Sequence, residues 1–303
     1  MSQLVLSLFP GIGLLDRAFE EEGFVVVRGP DVLWGGDIRN FHPPAGKFDG
    51  VIGGPPCQCF SGLANLVRAC GNEPHFGNLI PEFERCVAEA RPSWFLMEEV
   101  PQAPAPAVAG YGIRQFILNN CWLPGEDPGY GQEQSRRRMF SFGLRGRKAP
   151  LLLKWIEQAT FELPRTCGTA VSQNPVNNTQ EAKGRVLVGT CIAGGSAAPG
   201  QRDPAGAKHR GVKRTAVTAH EGATCLRATV TAAHSGEKRP KGGALVRYRF
   251  EEACRLQGLP DDFLADAPFT AQGKLKAVAN GVPIPMGRAL AKAVRKAIGE
   301  ETV

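Results

Sequence analysis

The feature that most constrains this 303-residue chain is an alternation in its first half. Short, wholly apolar runs end in glycine or proline turns, and helical periodicity follows. Leu4 to Phe9 is such a run, Pro10-Gly-Ile-Gly13 is its turn, and Leu14, Leu15, Ala18 and Phe19 then recur at helical spacing, with Gly23 as a plausible C-cap. Phe24 to Val27 predicts a second buried strand and Asp49 to Ile52 a third. Asn78 to Ala90 has helical character, Trp94 to Met97 is a fourth apolar run, and Arg138 to Phe142 a further candidate. Strands alternating with helices predict an α/β fold: a doubly wound, mostly parallel sheet with helices on both faces.

The pattern breaks near residue 145. From there to about 246 the chain is rich in Gly, Thr, Ala and basic residues, with short β-like pieces such as Val186-Leu-Val188 and Ala228-Thr-Val-Thr231. This predicts a smaller, irregular, β-rich domain at 145–246, set between a first domain at 1–144 and a segment at 247–303. Helical signals return at Phe250–Gln257, and Met286, Leu290, Ala293, Val294 and Ala297 share one helical face. Pro101 to Ala109 and Gly194 to Gly206 are loops. Charge follows the same division. The chain carries +7 overall, yet 145–246 alone holds 16 Lys+Arg against 6 Asp+Glu. A basic block on a near-neutral body fits a polyanionic partner, nucleic acid first, as well as a solvated basic surface.

No run approaches the ~18 apolar residues of a membrane span. The opening stretch has neither a basic n-region nor a small-residue cleavage site, so a cytoplasmic protein without a membrane partner is expected. Nine cysteines, an odd number, predict free thiols rather than a disulfide framework. Cys57, Cys59, Cys70 and Cys86 lack the C-x-x-C pairing of a zinc set, and no metal is expected.

Two motifs carry candidate chemistry. Phe9-Pro-Gly-Ile-Gly13, between strand and helix, lets the backbone approach a ligand at a helix N-terminus; it reads equally as a structural turn. Gly53-Gly-Pro-Pro-Cys57-Gln-Cys59 follows a strand directly. Two prolines stiffen the approach to Cys57 at the carboxyl end of the sheet, where such sheets bind ligands. A thiol there attacks only as thiolate, so its surroundings must stabilise the anion.

Gly-Gly-Pro-Pro-Cys57-Gln58 resembles the catalytic motif of the DNA cytosine-5 methyltransferases. The other motifs of that family follow in order: Phe9-x-Gly11-x-Gly13, Asp37-Ile38, Met97-Glu98-Glu99-Val100, Gln134-Ser-Arg136-Arg-Arg138, Glu252-x-x-Arg255-Leu-Gln-Gly258-x-Pro260, and Ala279-Asn280-Gly-Val282-Pro283. The resemblance implies a class I S-adenosylmethionine-dependent fold and methyl transfer to carbon 5 of a cytosine flipped out of duplex DNA, with Cys57 adding to carbon 6. It implies Glu98, Arg136 and Arg138 as further catalytic residues. It implies a cofactor site of Phe9, Gly11, Ile12, Gly13, Asp31, Asp37, Ile38, Pro56, Leu79, Asn280 and Val282, with Trp34 stacking on adenine or simply packing. Gln58 and Ser61, and Arg210, Lys213, Arg214 and Arg227 in the basic recognition segment, are the expected DNA contacts. The loop from Cys59 to Phe76 reads as the one that closes over the flipped base.

The chain also departs from that pattern. Ser7 stands where the family has Asp, Glu99 where it has Asn, Glu133 where it has Pro, and Ala279 where it has Gly. The helix expected between the ribose acid and the adenine-side Asp is missing, since only six residues separate Asp31 from Asp37. A compact, monomeric enzyme of phage or orphan type, with or without a partner nuclease, is the expectation. A catalytically silent DNA-binding homologue and an RNA cytosine-5 methyltransferase are the rivals.

Overall fold

The computed structural model describes residues 2–60, 76–125, 131–159 and 249–299, with the backbone of 228–229 and 245–246. A six-stranded sheet organises them, in the order β2-β1-β3-β4-β6-β5. Its strands are β1 (Leu4–Leu8), β2 (Val25–Arg28), β3 (Gly50–Gly53), β4 (Trp94–Glu99), β5 (Tyr111–Asn119) and β6 (Arg137–Arg145). The first four run parallel, and β6 is antiparallel to both β4 and β5. One reversed strand among six leaves the sheet mostly parallel, as expected. β6 inserts between β4 and β5, which run in the same direction.

Helices cover both faces. On one face, α1 (Leu14–Glu21) and the final helix α5 (Ile284–Gly299) bury Phe19, Leu290 and Val294 against Trp94, Phe140 and Phe142. On the other, α2 (Ile80–Ala90) buries Phe83 and Val87 against Leu6, Leu8, Val51 and Phe95. A third cluster joins Leu14 to Ala253 and Cys254 of α3 (Phe250–Gln257) and to Val278 and Ala279 of α4 (Ala271–Asn280). Glu21 pairs with Arg288 at 2.6 Å, which adds a charged clasp between α1 and α5.

Strand β4 sets the thickness of both layers. Trp94 and Phe95 point to opposite faces, as the period-2 pleat requires. Their cross-strand partners are glycines: Gly50 in β3 lies opposite Trp94, and Gly143 in β6 opposite Phe95. A Cβ on either glycine would stand 2.2 Å from the ring. Both rings therefore lie flat over a neighbouring backbone.

Several sequence-based expectations need correction. The run at 24–27 is not a buried strand. β2 is the edge of the sheet among the described residues, with Val25 50% and Val27 42% exposed. The cause is the short connection that follows. In place of a helix, one 3-10 turn (Val32–Trp34) and a second (Ile38–Asn40) lead directly to β3 on the far side of β1. β5 and α4 were not anticipated from the sequence. Ala228–Thr229 does form a strand, paired antiparallel with Leu245–Val246, whereas 186–188 and most of 145–246 lie outside the described residues.

Gly50→Ala should lower stability by about 1–3 kcal/mol, the usual cost of overpacking. A urea midpoint equal to that of the unmodified protein would show that the Trp94 ring has room to move.

Candidate active site

The carboxyl ends of β3 and β4 converge. After Gly53 the chain passes Gly54, Pro55 and Pro56 into a 3-10 turn, Cys57–Cys59, with Pro56 as its N-cap. A Cβ on Gly54 would lie 2.8 Å from Oε2 of Glu98, so a side chain there would displace that carboxyl. This close approach fits the turn that carries Cys57 against the end of β4. Oε1 of Glu98 takes Nε of Arg138 at 2.8 Å, and both side chains are mostly buried. Arg138 also donates through Nη1 to the Arg137 carbonyl at 2.8 Å.

Cys57 has a pKa pushed up to about 11. Burial is the main cause, then the nearby Glu99; Glu98 adds to the rise, and Arg138 and Arg136 oppose it. Glu99 is itself pushed up to about 8, by burial first and by the Glu98 charge second. The two adjacent glutamates thus differ sharply: one is ion-paired, the other buried at 2% exposure.

Arg136 precedes β6 and is 1% exposed. Its backbone N–H donates to Oδ1 of Asn119 at 2.7 Å, and Nη2 reaches the Asn280 carbonyl at 3.4 Å. Arg136 is thus buried between the end of β5 and the Asn280 carbonyl. Gln134 donates to the Leu256 carbonyl at 2.7 Å, and Gln257 to the Val278 carbonyl at 2.9 Å. The Gln134 and Arg136 bonds tie the segment 249–282 to the sheet, and the Gln257 bond joins α3 to α4 within it. Val282 joins the core beside Met286.

The turn after β1 forms the second part of the site. Phe9 has φ 57, uncommon for a non-glycine residue, and Gly11 and Gly13 have φ 55 and 77. No atom lies within 4 Å of where a Cβ of Gly11 would stand, so the space above the loop is open. Asp31 accepts from the Gly11 N–H at 2.9 Å and from the Leu33 N–H at 2.8 Å, while Nε1 of Trp34 donates to the Gly11 carbonyl at 2.8 Å. Trp34 is 61% exposed and packs against Phe269 with ring centroids 5.8 Å apart. An open glycine turn with an oriented carboxylate and an exposed indole fits a nucleoside-bearing ligand. Asp37 has its carboxylate gripped by Arg39, which holds its pKa below the usual carboxylate range. Ile38 is buried, Ile12 packs against the cluster that includes α4, and Leu79 and Pro56 are the N-caps of α2 and of the Cys57–Cys59 turn.

Sequence reasoning missed two residues here. Ser7 donates to Asp16, and Asp16 also accepts from Nε of Arg28 at 3.0 Å. Asp16 is 1% exposed, and burial raises its pKa against the pull of Ser7 and Arg28. The carboxylate missing at position 7 is thus supplied from the first turn of α1. The available signal was an acid three residues past Gly13, facing the loop.

Gln58 uses Oε1 to accept the Phe76 N–H at 3.2 Å, and Sγ of Cys59 donates to the Phe76 carbonyl at 3.2 Å. The two ends of the loop between them are therefore joined. Ser61, Arg210, Lys213, Arg214 and Arg227 lie outside the described residues, as do residues 61–75 of that loop. No group of three metal-ligating side chains and no helix long and apolar enough to cross a membrane occurs among the described residues.

Comparison with known proteins bears on this geometry. The sequence signature described as C-5 cytosine-specific DNA methylase matches residues 34–296. The chain belongs to that family. It is 31% identical to the type II methyltransferase M.FnuDI of Fusobacterium nucleatum, across 53% of this chain and 50% of that protein. It is 25% identical to M.MthTI of Methanothermobacter thermautotrophicus across 98% of both. The chain thus spans about half the length of M.FnuDI and nearly all of M.MthTI. Among solved structures, a putative DNA modification methyltransferase encoded within an E. coli prophage superposes with TM-score 0.53 at 17% identity, covering 98% of this chain and 100% of the other. S. pombe Dnmt2 superposes with TM-score 0.52 at 12% identity, covering 99% and 100%. These two likenesses establish the fold, the class I methyltransferase α/β architecture.

Replacing Arg138 with Gln removes a positive charge that holds the Cys57 thiol down and leaves Glu98 unpaired. Alkylation of Cys57, read on its peptide by mass spectrometry, should slow about tenfold for each unit the pKa climbs. An unchanged rate would mean that Arg138 does not act on the thiol.

Proposed function

We propose that this family member methylates carbon 5 of cytosine in duplex DNA, with S-adenosylmethionine as donor and a transient Cys57–carbon 6 bond. The observation that carries the reading is Cys57 held on a rigid turn beside the Glu98–Arg138 pair, at the sheet edge where the open glycine turn also lies. Carbon 5 of cytosine is a weak nucleophile. Sγ of Cys57, its proton released to solvent, adds to carbon 6, and carbon 5 gains enamine character. The ring becomes electron-rich as the bond forms. Glu98, held by Arg138, is placed at the N3–N4 edge, where passing a proton to N3 offsets that charge. The bound cofactor supplies an electrophilic methyl group. Loss of the carbon-5 proton to solvent then rebuilds the double bond and expels Sγ as a thiolate, while N3 returns its proton to Glu98 and Cys57 regains a proton from solvent.

Residues Phe9 to Gly13, Asp31, Trp34, Asp37, Ile38, Leu79, Asn280 and Val282 would hold the cofactor, with Asp31 placed for a ribose hydroxyl. The target base must leave the helix stack, which costs a few kcal/mol. We assign the recognition role to 145–246, between a catalytic domain at 1–144 and a returning segment at 247–303. Its excess of basic side chains suits phosphate contacts, and binding should weaken steeply with salt.

Cys57→Ser should abolish methyl transfer to duplex DNA while cofactor binding, followed by calorimetry, stays near normal. DNA carrying 5-fluorocytosine should trap a covalent adduct at residue 57, and its absence would remove the mechanism. Glu98→Gln should slow single-turnover transfer by about 10²–10⁴-fold, the usual worth of an oriented acid–base group. A loss confined to DNA affinity would contradict its role. Parallel assays on duplex DNA and tRNA decide between the two nucleic acids.

A further inference from the structure

Glu99 is the last residue of β4 and 2% exposed. Its Oε2 accepts the N–H of Val100 at 2.9 Å, and its Oε1 has no hydrogen-bond partner among the described residues. Among the described residues it has no ion-pair partner, since the neighbouring guanidinium of Arg138 is committed to Glu98. A buried carboxylate ordinarily needs a cation or several donors. Glu99 has one backbone donor and a like charge beside it.

The groups that face it can be named element by element. Glu98 precedes it on β4 and repels a second charge; Arg138 on β6 attracts one. Arg137 lies two residues from Met139, the β6 residue paired with Glu99, and so shares its face. Cys57 approaches from the turn after β3. Of the charged groups acting on Cys57, Glu99 acts most strongly, ahead of Arg138 and Glu98.

We propose that Glu99 works as a neutral, protonated acid that positions Cys57 for attack, and that losing its proton disables the thiol. The proposal rests on the reading of Cys57 as nucleophile. A protonated carboxyl can donate as well as accept, as a side-chain amide on a similar frame can. Oε2 serves the Val100 N–H, and Oε1 carries the proton into the site. Ionised, the group offers acceptors only and adds a second negative charge next to a thiol that must itself become an anion. Burial already places the Glu99 pKa at about 8 and the Cys57 pKa at about 11. Glu99 therefore ionises first as pH rises, and its charge opposes the thiolate over the range where a free thiol would gain reactivity.

The test is the pH dependence of Cys57 alkylation by iodoacetamide in the full chain, read by mass spectrometry, for the unmodified protein, Glu99→Gln and Glu99→Asn. Below about pH 7 the three rates should agree within about twofold. Near pH 9 the two amide variants should react about tenfold faster, a one-unit fall in thiol pKa. Superposable profiles would overturn the proposal. Single-turnover methyl transfer should likewise rise less steeply with pH above about pH 8 in the unmodified protein than in the variants, a difference that a purely structural role would not produce.

Stability provides a separate check. The unfolded chain releases this proton near the ordinary glutamate value of 4.5 and the folded chain near 8. The unmodified protein should therefore lose stability relative to Glu99→Gln as pH rises through that window, then hold a constant difference above it. Should neither variant fold, carboxyl NMR of the unmodified protein decides. One glutamate titrating near 8 supports the proposal, and all of them titrating in the ordinary range ends it. Alkylation and NMR need neither DNA nor cofactor, so they judge Glu99 even if no form of the protein methylates DNA.

Discussion

Strand β4 is the constraint on which the rest depends. It begins with two aromatic rings on opposite faces, each lying over a glycine of the neighbouring strand, and it ends with two carboxyls that obey the same alternation. The rings fix how closely α2 packs on one side and α1 with α5 on the other. Because side chains alternate across a strand, adjacent acids enter different surroundings. Glu98 meets a guanidinium, and Glu99 meets the apolar side together with Cys57. Two like residues next to each other in sequence thereby meet different surroundings, and burial pushes the pKa of Glu99 up.

A second theme is how distant segments are brought to one edge. Gln134, Arg136 and Gln257 are almost wholly buried, and each spends its side-chain donors on a backbone carbonyl of the 249–282 segment. Such bonds add little net energy apiece, yet a buried donor without an acceptor is expensive, so they specify one docking arrangement. Within the motif from Gln134 to Arg138, Gln134 and Arg136 bond to the 249–282 segment, and Arg138 pairs with Glu98.

Much of this was legible beforehand because local chemistry decided it. The strand–turn–helix order, the stiff Pro-Pro approach to Cys57, and the oriented Asp31 after a shortened connection all follow from short-range steric rules. Other features were not. The valines of β2 read as buried because β-branched residues favour strands, but nothing in a run of four valine-rich residues says whether it lies at an edge. The relocation of a carboxylate from position 7 to Asp16 was hidden because it depends on α1 packing back against β1. Arg136 and Arg138, two residues apart and alike in type, part company only when the C-terminal segment closes over one of them.

The sequence by itself determined the α/β alternation, the motifs in their order and the residue at each reactive position, since these depend on covalent order and on local turn chemistry. Only the tertiary structure decided which charges are paired, which are buried alone, and which strand is left at the margin of the sheet. Those properties belong to the environment and not to the residue. Desolvation and through-space fields act between groups that lie close together however far apart they stand along the chain.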